Sequence, residues 1–143
     1  MRRDVARNKQ GPPAAFAGVT GSFFSMDDGP FVDPLVVRRY GSTGPTVIVL
    51  HGGPGAAGYM APVCRELASE FTVIEPLQRM SGAIPLTVAR HIEDLRKVIE
   101  RTAAGVRVTM VGHSWGAMLA LAYAAEHPEG LESAVLVSCG TFY

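Results

Sequence analysis

Short runs rich in aliphatic residues alternate with segments of helical spacing along most of the sequence, and this alternation constrains the fold more than any other feature. The predicted strands are Leu35–Tyr40, Thr46–Leu50, Phe71–Ile74, Val106–Val111 and Ala134–Val137, and the predicted helices are Tyr59–Ser69, Thr87–Arg101 and Trp115–Glu126. Continuous apolar runs suit strands that are buried on both faces. Strand, turn and helix in repetition predict an α/β fold, with a mostly parallel sheet and helices on both of its faces.

Length and charge limit the number of domains and the classes of partner. A chain of 143 residues suits one domain. Residues 1–18 are first charged and then rich in Pro, Ala and Gly, which predicts a flexible tail before a domain over 19–143, whose first predicted strand is Val19–Phe24. Thirteen basic and 13 acidic side chains give a formal net charge of zero. This balance argues against nucleic-acid and anionic-membrane partners.

Neither a membrane segment nor a metal or cofactor site is expected from the sequence. No sustained apolar run follows the basic start, so we expect no secretory signal and a cytoplasmic protein. The uncharged run over 108–125 is long enough for a membrane span, but polar residues lie at its centre and its pattern changes there. The four histidines are scattered singly and the glycine turn lacks the dinucleotide-binding order, which argues against metals and nucleotide cofactors.

The segment Gly112-His113-Ser114-Trp115-Gly116 carries the pattern G-x-S-x-G. Alone the pattern is weak, but here it follows a predicted strand and opens an Ala-rich helix, which is the setting of a nucleophile elbow. In such an elbow the serine lies on a strained turn, and small residues two positions before and after it let strand and helix approach. The positive end of the helix favours the negative charge that develops during acyl transfer.

A second motif, His51-Gly52-Gly53-Pro54-Gly55, follows the predicted strand Thr46–Leu50. Its glycines leave backbone N–H groups available to an oxyanion. Acyl transfer needs two such donors, and we expect them from Trp115, directly after the serine, and from Gly53 in this loop. For the Trp115 side chain, lining of an acyl pocket and core packing remain equal alternatives.

With these two motifs, the chain from about Val19 to Tyr143 resembles the N-terminal half of an α/β-hydrolase, and most of all the proline iminopeptidase-like (prolyl aminopeptidase) group. The resemblance implies Ser114 as nucleophile and Gly53 and Trp115 as oxyanion donors. The family usually carries Asp-Gln-Arg-Gly-x-Gly-x-Ser where this sequence has Leu77-Gln78-Arg79-Met80-Ser81-Gly82. Gln78-Arg79 is kept in register, while Leu77 and Met80 stand where the family has its Asp and its first Gly. The resemblance therefore supports the hydrolase class and leaves the aminopeptidase specificity in doubt.

A general base and an orienting acid are not found after the serine. The family order is Ser, then Asp or Glu, then His. After Ser114 the chain has no aspartate and only one histidine, His127, which would lie about 20 Å away at the far end of the predicted helix. A base must lie within about 3 Å. Of the remaining histidines, His51 is expected to brace the glycine loop and His113 to point elsewhere. His91, near Asp94, is expected on a solvated helix face.

The sequence therefore predicts a partial α/β-hydrolase that lacks the C-terminal strands and lid of the family. The leading hypothesis is a serine hydrolase that cleaves an amide or ester of a small molecule or peptide through an acyl-enzyme. The alternatives are a catalytically inactive fragment and an interaction subunit with the same half-fold. Ala134–Val137 would form an edge strand with unpaired backbone groups, which predicts self-association through that edge.

Overall fold

The computed structural model describes residues 35–53, 56–80 and 85–140. The predicted tail over 1–18 and the predicted strand Val19–Phe24 lie outside these ranges. Within them, the elements in chain order are β1 (Val37–Tyr40), β2 (Thr46–Leu50), α1 (Ala61–Leu67), β3 (Thr72–Pro76), α2 (Val88–Thr102), β4 (Val108–His113), α3 (Trp115–Glu126), a 3₁₀ turn (Pro128–Gly130) and β5 (Leu131–Val137).

The predicted elements are all present in the described ranges, and their ends differ by a few residues. The limits of β2 and α3 agree with the prediction, because a turn closes β2 and the sharp bend at Ser114 begins α3. The largest difference is at β5, which begins three residues before the predicted Ala134. Glu132 and Ser133 are polar residues in a strand whose side chains are exposed, so the apolar pattern underestimates its length.

The strands form one sheet in the order β1-β3-β2-β4-β5. Strands β2, β3, β4 and β5 are parallel to one another, and β1 pairs antiparallel with β3. The register places Leu50 opposite Gly112 and Gly112 opposite Leu136, so the carboxyl ends of β2, β4 and β5 meet at one edge. The mostly parallel α/β sheet expected from the sequence is thus confirmed.

Two apolar cores cover the two faces of the sheet. Alternate residues of β2 divide between them, with Val47 and Val49 on one face and Ile48 and Leu50 on the other. The core around Val47 and Val49 includes Cys64 of α1. The core around Ile48 and Leu50 is formed with α2 and α3. Helices therefore pack on both faces, as predicted.

Strand β5 is the least covered part of the sheet. It pairs with β4 on one side, and within the described ranges no strand pairs with its other side. Residues 132–137 are all exposed, including Val135, Leu136 and Val137. The predicted edge strand is confirmed, while self-association through it stays a prediction.

The uncharged run over 108–125 divides between β4 and α3. Its change of pattern therefore marks the junction of a strand with a helix. Among the residues that the structure describes, no helix has the length and apolar character needed to cross a bilayer.

Candidate active site

Ser114 joins β4 to α3 through an unusual backbone conformation, with φ +52° and ψ −116°. A positive φ in a residue other than glycine costs about 1–3 kcal/mol and persists only where the surrounding structure holds it. Here the Ser114 N–H donates to the carbonyl of Val137 at 2.9 Å, and the Ser114 carbonyl accepts from the N–H of Ala117 at 3.0 Å. The neighbouring strand and the first turn of the helix therefore fix the elbow from both sides.

The two glycines of the motif are required by close backbone approach. A Cβ atom on Gly112 would lie 2.6 Å from the Cα of Ala117, and one on Gly116 would lie 2.7 Å from the carbonyl oxygen of His51. Real Cβ contacts are longer than these. The first glycine thus lets α3 pack against its own strand, and the second lets α3 pack against the end of β2.

The glycine loop after β2 lies directly against the elbow. A Cβ atom on Gly52 would lie 3.0 Å from the Cβ of Ser114 and 3.1 Å from Nδ1 of His113. The next residue, Gly53, has a φ of +55°, a conformation that favours glycine. The structure thus brings together the two segments that the sequence predicted would face each other.

His51 is fully buried and both of its ring nitrogens are engaged. Its Nε2 accepts from the main-chain N–H of Gln78 at 2.9 Å, which leaves the proton on Nδ1, 3.1 Å from the carbonyl oxygen of Gly52. These contacts provide the bracing role that was expected of His51 over a role as base.

Trp115 is anchored by its indole ring. Its Nε1–H donates to Oε1 of Gln78 at 2.9 Å, and the ring meets His91 edge to face with the centroids 5.6 Å apart. The ring is anchored by these contacts but only partly buried, so core packing and lining of an acyl pocket both stay predictions.

The expectation that His91, near Asp94, lies on a solvated helix face is wrong, because both residues are buried. Their exposed fractions are only 4% and 3%. Asp94 accepts two hydrogen bonds from the Arg79 guanidinium, at 2.9 and 2.8 Å, which compensates the burial of its carboxylate. Burial lowers the pKa of His91, and the nearby Asp94 charge opposes that shift. His91 lies four residues before Leu95, and Asp94 lies four before Val98, so helical spacing places both beside the buried face of α2. The expectation followed their polarity and could not include Arg79, the partner of Asp94, which lies on a different segment.

Tyr59 is a site residue that the sequence reasoning missed. Its hydroxyl accepts from the N–H of Gly52 at 2.6 Å and lies 2.5 Å from Nδ1 of His113, to which it can donate its own proton. The Gly52 amide is therefore engaged, and the Nδ1 of His113 faces the tyrosine. The only available signal was an aromatic residue shortly after the glycine turn.

The amides of the two predicted oxyanion donors, Gly53 and Trp115, make no hydrogen bond to another described residue. The first N–H groups of a helix have no partner within it, and Trp115 begins α3. Whether these amides bind an oxyanion, and whether Ser114 is a nucleophile, stay predictions from the sequence.

All four histidines lie in the described ranges, and none of them hydrogen-bonds to the Ser114 hydroxyl. His127 lies at the far end of α3, where its ring packs on Tyr123 with the centroids 4.9 Å apart. Within the described part of the chain, no group of three His, Cys, Asp or Glu side chains could hold a metal ion.

Comparison with known proteins identifies the family. The family model described as alpha/beta hydrolase fold matches residues 45–141, about two thirds of the sequence. The chain therefore belongs to the alpha/beta hydrolase fold family. It is 36% identical to the proline iminopeptidase of Heyndrickxia coagulans over 103 residues, which cover 66% of this chain and 35% of that protein. The resemblance to proline iminopeptidases is thus confirmed.

Other relatives differ in their named reactions. The cis-3-alkyl-4-alkyloxetan-2-one decarboxylase of Shewanella oneidensis is 26% identical over 108 residues, covering 70% of this chain and 34% of that protein. The crystal structure of E-2-(acetamidomethylene)succinate hydrolase matches with a TM-score of 0.66 and 31% identity, over 76% of this chain and 41% of the other. The chain spans about a third of the length of these curated relatives, so it corresponds to part of the family's fold.

Proposed function

We propose that this chain carries the nucleophile half of a serine hydrolase that cleaves an ester or amide through an acyl-enzyme. The observation that carries the proposal is the strained Ser114 on a strand-to-helix turn, with its Cβ against the glycine loop. In an elbow of this kind the hydroxyl stands at the positive end of a helix. A strained turn that exposes a hydroxyl is what acyl transfer requires, whereas a serine that only fills space in the core needs no strained backbone.

In the proposed reaction, the Ser114 oxygen forms a bond to the substrate carbonyl carbon while a base takes the hydroxyl proton. The carbonyl electron pair moves to oxygen, and the amides of Gly53 and Trp115 donate to that oxyanion. Collapse of the intermediate breaks the bond to the leaving alcohol or amine, which takes up the proton. Water then hydrolyses the acyl-serine.

The base and the orienting acid are proposed to come from outside this chain. The reason is that no histidine of the sequence hydrogen-bonds to the Ser114 hydroxyl, and His51 has both ring nitrogens engaged. The names of the proline iminopeptidase relatives favour an amide of a small molecule or peptide as substrate. Leu77 and Met80 replace the Asp and the first Gly of the motif that is usual in that group, so the proposal gives the substrate only as a class, an ester or amide.

A test uses p-nitrophenyl butyrate with free imidazole as a substitute base. We expect imidazole to produce a burst of about one equivalent of p-nitrophenolate per chain, because acylation needs a base while the acyl-enzyme lacks a positioned one. Ser114→Ala should abolish the burst. Ser138→Ala is the matched control, since Ser138 also follows a strand and has a φ of +50°. A burst that survives Ser114→Ala would overturn the proposal.

The second candidate is a catalytically inactive remnant or interaction subunit with the same half-fold. It is favoured by the isolation of the Ser114 hydroxyl from every histidine of the chain. Under this alternative, imidazole would produce no difference between the native chain and Ser114→Ala.

A further inference from the structure

Gln78 connects the two segments that carry the proposed oxyanion donors. Its side-chain amide donates to the carbonyl of His51 at 2.8 Å, and the same amide's oxygen accepts from Nε1–H of Trp115 at 2.9 Å. Its main-chain N–H donates to Nε2 of His51 at 2.9 Å. The side chain is buried, so water does not compete for these three hydrogen bonds.

We infer that Gln78 is a positioning residue that fixes the separation between the Gly53 amide and the Trp115 amide. This inference rests on the proposed function, because it concerns how the oxyanion site of that reaction is held. His51 lies two residues before one donor, and Trp115 itself supplies the other. Two donors act on one oxygen only if both lie about 2.7–3.1 Å from it. A displacement of about 1 Å is enough to lose much of their effect.

The loop and the helix have few other polar connections. Tyr59 binds the Gly52 amide but extends to His113, on the β4 side of the elbow. Gln78 alone among the described residues bonds both to the loop through His51 and to the first residue of α3. It therefore controls the relative position of the two segments more directly than Tyr59 does.

Only a primary amide of this length meets both requirements at once. The carbonyl of His51 needs a donor, and the indole N–H of Trp115 needs an acceptor. A glutamate would keep the acceptor but would set a carboxylate oxygen against the His51 carbonyl. A methionine would have a similar length and would satisfy neither group.

The test measures anion binding by amide NMR, so it does not depend on turnover. The ¹⁵N-labelled chain is titrated with butyrate, whose carboxylate stands in for the oxyanion. We expect the Gly53 and Trp115 amide signals to move with one common half-saturation. Gln78→Met should weaken butyrate binding about tenfold or more, because the two donors no longer converge on one oxygen.

The control is Thr72→Val, which removes another side-chain hydrogen bond to backbone, from Thr72 to the carbonyl of Thr43, at the opposite end of β3. This variant should lose stability in thermal melts and keep the native butyrate affinity. The dispersion of the amide signals from β2 and β4, away from Gln78, reports whether each variant is folded. If Gln78→Met does not fold, Gln78→Glu replaces it, with a several-fold loss of butyrate affinity expected.

The outcomes separate this inference from the proposed function. Butyrate binding at both amides that is unchanged in the folded Gln78 variant overturns the inference and leaves the function standing. Failure of butyrate to move the two amides of the native chain overturns the inference as well. The Ser114-dependent burst then decides the function independently.

Discussion

The elbow at Ser114 and the strand β5 touch each other, yet they are built very differently. Around Ser114 the backbone is strained, glycines are forced by close contacts, and buried side chains tie loop to helix. In β5, by contrast, residues 132–137 are exposed and one edge has no partner strand in the described ranges. The two regions join at the hydrogen bond from the Ser114 N–H to Val137. The elbow is therefore fixed by β2, β4 and α3 together with one hydrogen bond from β5, whereas β5 itself is held by a strand on one side alone.

The largest effect on the free energy of unfolding is expected from the buried pair of Arg79 and Asp94. Asp94 lies on α2, which packs against α3, the helix that begins at the elbow. Asp94→Asn should destabilise the fold by about 3–5 kcal/mol, because it exchanges two charge-assisted hydrogen bonds at a buried carboxylate for weaker contacts of a neutral amide. Urea unfolding measures the change. Glu93→Gln on the same helix, which breaks an exposed pair with Arg96, is the control and should change little. Equal midpoints for the two variants would contradict the burial argument.

The next effect tests the close packing of α3 on β2. Gly116→Ala should cost about 3 kcal/mol, because the added Cβ would overlap the carbonyl groups at the end of β2. Gly140→Ala is the control, since a Cβ there would meet nothing within 4 Å. Chemical denaturation of both variants checks the difference. A Gly116 variant as stable as the Gly140 variant would show that the elbow is looser than described.

The exposed strand β5 is tested by measuring whether the chain associates with itself. We expect sedimentation velocity of the native chain to show a sedimentation coefficient that rises with concentration, because an unpaired apolar edge is a template for pairing. Val135→Lys in β5 should reduce this rise. Val106→Lys, at an exposed position outside the strands, should not. A native chain that remains monomeric at all concentrations would show that the prediction is wrong.

The smallest effect is expected from His91, on how the stability of the fold depends on pH. Because burial lowers the pKa of His91 in the folded state, the unfolded chain takes up a proton first as the pH falls. The histidine therefore leaves stability intact above about pH 6.5 and reduces it progressively below that value. Thermal melts between pH 7.5 and 5.5 should show a steeper loss for the native chain than for His91→Phe. Parallel losses would argue against a buried neutral His91.

Local patterns explain which parts of the fold could be predicted. The apolar run of β2 and the Ala-rich α3 each carry their signal within a few consecutive residues, and so does the G-x-S-x-G elbow. The contacts that hold the site join residues that are far apart in the sequence. Gln78 and Trp115 are 37 positions apart, and Tyr59 and His113 are 54 apart. Such pairs follow from sheet order and register, which the pattern of single segments does not specify.

In the proposed reaction the hydroxyl of Ser114 is the acyl acceptor of this fold. It is tested most directly by mass spectrometry of proteolytic peptides after incubation with p-nitrophenyl butyrate and imidazole. We expect a butyryl group on the peptide that contains Ser114, and its loss in Ser114→Ala. A butyryl group found only at other residues, or an equal yield in that variant, would contradict it.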